Sequence, residues 1–187
     1  MLAPNLRTRR LRLRQLRVTD APSVHIALAD KANMTWWSSG PHKSLAETET
    51  YISWNANEDE GHYCWAITES NDLALGWVIL IPRREGVHEI GYILRSDYGG
   101  RGLAREAVHA AIDFGFSDLG LRRIFADIDP DNKSSVRLVE ALGFKLEGCL
   151  REEWETHIGV RDSLIYGLLA RDWPRSQDHA VPRTASL

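Results

Sequence analysis

A glycine-rich stretch between an apolar strand-like run and a helix-like run constrains this chain more than any other feature. Gly99, Gly100 and Gly102 follow the strand-like run 89–94, and a helical apolar period begins at Leu103. Glycine permits a tight turn whose backbone N–H groups all point one way. A helix N-terminus adds unpaired N–H donors and the positive end of the helix dipole. The sequence therefore predicts an anion pocket at this junction, with phosphate or pyrophosphate as the expected anion.

The elements around this stretch predict an α/β (α+β) fold in a single domain. Consecutive short strand-like runs separated by turns indicate a sheet that is at least partly antiparallel. The predicted strands are 9–17, 63–68, 73–81, 88–95, 123–129, 144–155 and 162–169. The predicted helices begin near Asp20, Ser44, Leu103 and Asn132. Residues 1–8 are expected to be a flexible leader, 9–173 the domain, and 174–187 a disordered tail.

Composition excludes several classes of function. A net charge of -3 argues against nucleic acid as a partner, and no apolar run approaches the about 20 residues that cross a membrane. Cys64 and Cys149 are far apart in sequence, which predicts reduced thiols and a cytoplasmic protein. Arg10, Arg12 and Arg14 alternate with leucines, as in an edge strand with a charged outer face. The alternative for this arginine run is an arm that contacts RNA.

Competing phosphate and metal motifs fit the chain poorly. A P-loop needs a Lys-Ser/Thr pair after its last glycine, whereas Leu103 and Ala104 stand there. A dinucleotide fingerprint requires glycine or alanine where Arg105 stands. There is no HExxH motif, and Cys64 and Cys149 have no neighbouring ligand residues, so no metal is predicted.

Three motifs in a fixed order resemble the GCN5-related N-acetyltransferase (GNAT) family, and within it the RimJ/RimL-type ribosomal-protein N-acetyltransferases. They are the stretches 100–107, 129–135 and 142–148. The resemblance implies a mixed, mostly antiparallel central sheet flanked by helices. It implies acetyl-CoA as co-substrate and acetyl transfer to a primary amine by direct attack in a ternary complex. It also implies a homodimer.

The resemblance assigns the cofactor residues. The pyrophosphate would lie against backbone N–H groups of the glycine loop. The strand before the loop would bind the pantetheine arm through its backbone, and Asn132 would bond a pantetheine amide as well as capping its helix. The implied set is Tyr92, Ile93, Leu94, Gly99, Gly100, Arg101, Gly102, Leu103, Ala104, Arg105 and Asn132.

Acetyl transfer to an amine needs a base for the ammonium proton and a donor for the departing thiolate. Glu89 shares a predicted strand face with Gly91 and Ile93, so its carboxylate is the predicted general base; the alternative is a structural carboxylate paired with an arginine. Glu152, Glu153 and Glu155 are alternative bases or ligands for a cationic substrate; the other interpretation of these three is a solvated face. The family's usual tyrosine donor corresponds to Val139 here, and the RimJ/RimL branch points instead to Ser135.

The acceptor cleft is predicted near Trp36, Trp37, Trp54 and Glu155, because adjacent tryptophans in a loop suit the walls of a cleft; the alternative for Trp36 and Trp37 is packing in the core. The expected acceptor is a protein N-terminal α-amine, as in the RimJ/RimL branch. A small-molecule amine such as an amino sugar, a polyamine or an antibiotic is the alternative within the same class. A non-catalytic acyl-CoA-binding module is the alternative from another class.

Overall fold

The computed structural model describes residues 3–56 and 61–174, which form an eight-stranded sheet with helices on both faces. The strands are β1 (Leu6–Arg7), β2 (Arg12–Gln15), β3 (Tyr63–Thr68), β4 (Ala74–Arg84), β5 (Val87–Leu94), β6 (Arg123–Ile128), β7 (Lys145–Thr156) and β8 (Gly159–Leu169). The helices are α1 (Ala21–Leu28), α2 (Lys31–Met34), α3 (Leu45–Asn55), α4 (Leu103–Ser117) and α5 (Lys133–Ala141). No helix in these two ranges is long and apolar enough to span a membrane.

The sheet has the order β1-β2-β3-β4-β5-β6-β8-β7. Among residues 3–56 and 61–174, only β5 and β6 pair in parallel, so the predicted mixed, mostly antiparallel sheet is confirmed. The β5–β6 ladder joins Val87–Glu89 to Arg123–Phe125 and, in the part of the chain described, ends there. Beyond Glu89 the two strands separate, which opens a wedge in the middle of the sheet.

Two apolar clusters cover the two faces of the sheet. On one face α4 and α5 bury Leu103, Ile112 and Val139 against strand residues that include Leu80 and Ile124. On the other face α1, α2 and α3 pack Leu28, Met34 and Ile52 against Trp77 and Ile79. The wedge between β5 and β6 therefore connects two otherwise separate packing layers.

Local capping chemistry sets where the helices begin. The Ser44 hydroxyl accepts a hydrogen bond from the Glu47 N–H at 3.2 Å and begins α3. The Asn132 side chain accepts one from the Ser135 N–H at 3.2 Å and begins α5. Gly102, at φ +74°, takes the left-handed conformation just before α4, where an L side chain would be strained. All three starts agree with the sequence prediction.

Part of the flexible leader predicted over residues 1–8 is ordered, because Leu6 and Arg7 form β1 of the sheet. Leu6 and Arg7 pair with β2 as an added edge strand. The buried indole of Trp65 donates to the carbonyl oxygen of Pro4 at 2.7 Å, and the Ala3 N–H donates to Gln15 Oε1 at 2.7 Å. A buried N–H group needs such an acceptor, and this need holds the segment in place. The predicted tail lies outside the described residues from residue 175 onward.

The arginine run also departs from expectation, since β2 is not the edge strand and Arg14 is not on a solvent face. Arg14 is 3% exposed, and its guanidinium donates to Asp20 Oδ1 and Oδ2 at 2.7 and 2.8 Å and to Asp72 at 2.9 Å. An arginine with three satisfied charged contacts is buried without an uncompensated charge. Arg10 and Arg12 are exposed, as expected for a charged outer face, so Arg14 alone of these three arginines departs from the prediction.

Candidate active site

The glycine loop presents its backbone at the N-terminus of α4. Gly100 and Gly102 both have left-handed φ values, +71° and +74°, while Leu103 is fully buried and anchors the helix start. The first intrahelical bond runs from the Glu106 N–H to the Gly102 carbonyl oxygen at 3.1 Å. The N–H groups of residues 103–105 therefore lie ahead of the helical ladder and are available to an anion.

Arg10, two residues before β2, fixes the orientation of the glycine loop. Its Nη1 donates to the Arg101 carbonyl oxygen at 2.7 Å, and its Nε donates to Glu106 Oε2 at 2.7 Å. Thr8 also donates to Glu106 at 2.5 Å. Burial acts to raise the pKa of Glu106, but the hydrogen bonds from Thr8 and Arg10 outweigh it and the pKa lies below its ordinary value. With its carbonyl held, the peptide unit after Arg101 cannot turn freely.

The two loop arginines differ in availability. Arg101 donates to Glu69 Oε1 at 3.0 Å, and its guanidinium lies 5.4 Å from the centre of the Tyr98 ring. Arg105 is exposed and has no charged partner among residues 3–56 and 61–174. Arg105 is therefore the better placed of the two to add charge beside a bound phosphate.

A cavity of about 320 Å³ passes through the wedge between β5 and β6. Its lining comes from both faces of the sheet. One end is formed by Tyr92 of β5 and by Asn132 and Ser135 at the start of α5. The other end is formed by aromatic side chains on the α1–α3 face, namely Trp36, Trp37, Tyr51, Trp54 and Trp77. One passage thus joins the layer that carries the glycine loop to the layer that carries the tryptophans.

At the α5 end, three polar side chains face the cavity. Asn132 Oδ1 accepts from the Ser135 N–H and from the Ser134 hydroxyl at 2.8 Å, so its Nδ2 donors keep no partner in the described ranges. The Tyr92 hydroxyl donates to the Ser135 carbonyl oxygen at 3.5 Å, and burial raises the pKa of Tyr92 to about 12. Both Tyr92 and Ser135 are therefore protonated hydroxyl groups. Val139 is fully buried in the core and contributes no donor.

Glu89 lies midway along the cavity, at the last residue of the β5–β6 ladder. Its Oε2 accepts from Arg83 Nε at 2.8 Å, so it also has the arginine partner of the structural alternative. Burial is the largest influence and raises the pKa of Glu89, the Arg83 charge opposes it, and the nearby charge of Asp127 raises it further. A half-buried carboxylate with a raised pKa is suited to accepting a proton.

Asp127, on β6, is a cavity residue that the sequence reasoning missed. Its Oδ2 accepts from Trp154 Nε1 at 3.1 Å, and its Oδ1 accepts from the Ser163 hydroxyl. Both donors are uncharged, and no lysine or arginine in the described ranges pairs with Asp127. The available signal was an aspartate within a strand, a position where aspartate is uncommon.

The predicted acceptor residues divide into two groups. Trp36, Trp37 and Trp54 line the cavity, and Trp37 is fixed by a 3.1 Å hydrogen bond from its Nε1 to the Tyr51 hydroxyl. Glu155 is exposed and lies outside the lining, whereas its neighbours Trp154 and Thr156 belong to it. Side chains alternate along a strand, so Glu155 points to the opposite face of β7.

The loop, the wedge and the unpaired donors together define a site for an acyl-CoA-dependent transferase. Residues 10–145 match the model of the Acetyltransferase (GNAT) domain. The chain is 30% identical over 173 residues to the uncharacterized N-acetyltransferase p20 of Bacillus licheniformis, covering 90% of this chain and 97% of the relative. It is 28% identical over 148 residues to spermidine N(1)-acetyltransferase of Escherichia coli (strain K12), covering 77% of each.

Solved structures agree with this match. Spermidine N-acetyltransferase from Vibrio cholerae, solved with CoA and spermine, superposes with a TM-score of 0.77 at 24% identity, covering 88% of this chain and 98% of that one. The chain belongs to the GNAT acetyltransferase family, and it is an acetyl-CoA-dependent N-acetyltransferase. The family match and the N-acetyltransferase relatives therefore support an enzyme over the alternative of a non-catalytic binding module.

The residues present fit acetyl-CoA by their donor chemistry. Backbone N–H groups at residues 103–105 suit a diphosphate, and the Asn132 amide suits a carbonyl group. On its wedge side β5 has no ladder partner beyond Glu89 in the part of the chain described, so an extended arm can lie beside it. Asn33 Nδ2 already donates to the Leu94 carbonyl oxygen at 2.8 Å, which occupies that acceptor at the strand end.

Proposed function

We propose that the acceptor is a small cationic primary amine, bound at the tryptophan end of the cavity with its charge near Asp127. The proposal is based on the charged side chains that line the cavity and on which of them are paired. Arg83 is paired with Glu89, and Arg161 is paired with Asp129 at 2.7 Å. Asp127 and a second lining carboxylate, that of Asp162, are held only by uncharged donors in the described ranges. The cavity therefore carries an excess of negative charge.

The aromatic wall supports the same conclusion. Tryptophan faces attract cations, with stabilisation of about 0.5–1 kcal/mol at exposed sites and about 2 kcal/mol when the cation is desolvated. Trp36, Trp37 and Trp54 provide such faces beside the uncompensated carboxylates. The relationship to a spermidine N(1)-acetyltransferase, noted above, concerns an acceptor of this chemistry.

The proposed reaction divides the work between the two carboxylates. The Asp127 carboxylate holds the ammonium group, while Glu89 accepts one proton from it, directly or through one water molecule. The neutral amine nitrogen then attacks the thioester carbonyl carbon, and a backbone N–H near Leu94 stabilises the resulting oxyanion. The attacking nitrogen, which is cationic after the attack, loses a second proton to water as the carbon–sulfur bond breaks with its electron pair on sulfur. A hydroxyl donor protonates the thiolate and is itself reprotonated from solvent. Ser135 is the predicted donor, and Tyr92 is a second hydroxyl at the same end.

The protein N-terminal α-amine predicted from sequence is the second candidate. Exposed apolar side chains border the cleft along β7 and its hairpin, among them Leu150, Trp154 and Val160 at 42%, 47% and 58% exposure. Such a surface would contact the residues that follow an N-terminus in a bound peptide. An N-terminal α-amine acceptor would agree with the proposed resemblance of this chain to the RimJ/RimL branch.

Free thiol release from acetyl-CoA tests the acceptor class directly. The panel comprises spermidine, a monoamine with no second charged group, an amino sugar, and peptides with free N-termini. We expect the highest kcat/KM for spermidine. In the Asp127→Asn variant, the KM for spermidine should rise about tenfold, because one charge contact is lost. Asp118→Asn, an exposed change after α4, is the matched control. A peptide preferred over every small amine would reject the proposal in favour of the second candidate.

Two further proposals concern the oligomeric state and the cellular location of the protein. The exposed apolar residues of β7, which is an edge strand of the sheet, support the predicted homodimer, because a long edge strand invites pairing. Both cysteines are free thiols, one buried and one exposed, which supports a reducing, cytoplasmic location. Sedimentation of the purified protein tests the first, and fractionation of cells tests the second.

A further inference from the structure

Arg161 of β8 lies between the turn that carries Asn132 and the loop that carries Trp36. Its Nε donates to Asp129 Oδ2 at 2.7 Å, and its Nη2 donates to Asp129 Oδ1 at 2.9 Å and Asp131 Oδ2 at 2.6 Å. The carbon at the centre of the guanidinium lies 5.5 Å from the centre of the Trp36 ring. A guanidinium uses its edge for hydrogen bonds and leaves its face free for an aromatic ring, so one side chain makes both contacts.

The turn held by Arg161 is the one that orients Asn132. Asp129 Oδ1 accepts from the Asp131 N–H at 2.8 Å, and the Asp129 carbonyl oxygen accepts from the Asn132 N–H at 2.9 Å. The Asp129 side chain is 8% exposed, whereas that of Asp131 is 57% exposed. The buried carboxylate therefore fixes one end of the turn, and Arg161 connects it to the exposed end.

Trp36 depends on Arg161 more than the other wall residues do. Trp37 packs edge-on against Trp77 with ring centres 6.1 Å apart and bonds Tyr51, so it is fixed within the α1–α3 layer. Trp36 is 36% exposed, and in the described ranges its ring has a cation–π contact with Arg161 and no aromatic ring as a partner. The position of this part of the acceptor wall is therefore set from β8.

We infer that Arg161 is a positioning residue that couples the acetyl-CoA half of the cavity to the acceptor half, through the Asp129–Asn132 turn on one side and Trp36 on the other. The acceptor half of this inference rests on the proposed function. A ligand that engages Asn132 restricts the turn and Arg161, which lowers the entropy that a second ligand loses when it orders Trp36. Coupling of this kind is reciprocal, so each ligand raises the affinity of the other by the same factor.

The first experiment needs no acceptor. Tryptophan emission is recorded while CoA is added to the wild type and to Trp36→Phe, and the difference between the two isolates the signal of Trp36. We expect CoA to change this signal, and the change to be lost when Arg161→Lys is introduced into both backgrounds. Arg123→Lys is the matched control, because Arg123 also makes a bidentate pair, with Glu147 at 2.6 and 2.5 Å, and does not line the cavity.

The second experiment measures the coupling itself by calorimetry. CoA affinity is determined with and without saturating spermidine. We expect spermidine to tighten CoA binding about tenfold in the wild type, within the range usual for coupled sites. The factor should fall to one in Arg161→Lys and Trp36→Ala, and should persist in Trp36→Phe, which retains an aromatic face, and in the Arg123→Lys control.

The outcomes separate this inference from the proposed function. If spermidine does not bind, the proposed acceptor class fails, and the emission experiment still decides whether Arg161 transmits CoA binding to Trp36. The inference is overturned by a Trp36 signal that survives in Arg161→Lys, or by a wild type that binds CoA with no change at Trp36. If Arg161→Lys does not fold, Asp131→Ala removes one of the three Arg161 hydrogen bonds and should reduce the Trp36 signal.

Discussion

Replacing Gly102 with aspartate tests whether the α4 N-terminus holds the diphosphate of CoA. A Cβ atom at this position would meet only Arg10 Nη2, at 3.6 Å, so the side chain fits without displacing other protein atoms. The left-handed φ of +74° should cost about 1–2 kcal/mol in folding free energy, and slightly less for aspartate, which tolerates this conformation. For a domain of this size, that corresponds to a melting temperature lower by about 2–8 °C.

The effect on CoA is expected to be larger than the effect on stability. An added carboxylate would compete for the N–H groups that bind the phosphate and would repel its charge. Charge-assisted hydrogen bonds contribute about 1.5–3 kcal/mol each, so losing the equivalent of one should weaken CoA binding by about 10- to 150-fold. Calorimetric titration of CoA into the folded variant measures this change.

Gly120 supplies the control for backbone strain. It has a φ of +65°, a Cβ atom added there would meet no heavy atom within 4 Å, and it follows the other end of the same helix. Gly120→Asp should therefore lose comparable stability and keep wild-type CoA affinity. Gly102→Ala adds the strain without the charge and should fall between the two. Undiminished CoA affinity in a folded Gly102→Asp protein would refute the loop as the diphosphate site.

Two further predictions concern the base and the core. Glu89→Gln should lower kcat by about 100-fold or more while CoA affinity stays unchanged. Because burial raises the Glu89 pKa, the wild-type kcat/KM should decline on acidification at a pH above the ordinary glutamate range, and identical pH profiles in the variant would contradict this role. Arg14→Met should lower the free energy of unfolding by about 3–5 kcal/mol in denaturant titrations, because Asp20 loses its buried partner. Exposed Arg12→Met on the same strand should leave that free energy nearly unchanged, and equal losses in the two variants would count against the buried pair.

The fold class and the starts of α3, α4 and α5 could be predicted because their signals are contiguous. A glycine turn before a helical period, a serine three residues before Glu47, and an asparagine three residues before Ser135 each act within one turn of chain. Strand periodicity placed Glu89 on one face with Gly91 and Ile93, and the structure confirms this arrangement. Interactions of this range depend on local backbone geometry, which the residue order sets directly.

The contacts that hold both halves of the site in place are not encoded in local patterns. Arg10 braces a loop 91 residues away, and Arg161 reaches Asp129 across 32 residues, so both partnerships exist only after the strands have aligned. Asp127 is a candidate acceptor-binding residue because it lines the wedge between β5 and β6, which exists only in the tertiary structure.

Glu155 shows the physical reason most clearly. The sequence determined by itself that 144–155 is a strand, and a strict alternation would make one set of its side chains line the cleft. The pairing of β7 with β8 shifts register between Leu150 and Trp154, near Glu152 at a φ of +52°. A bulge of this kind reassigns the side chains beyond it to the two faces of the sheet. The tertiary pairing of two strands, and not the order of residues along one, therefore decided that Trp154 lines the cavity and Glu155 points away.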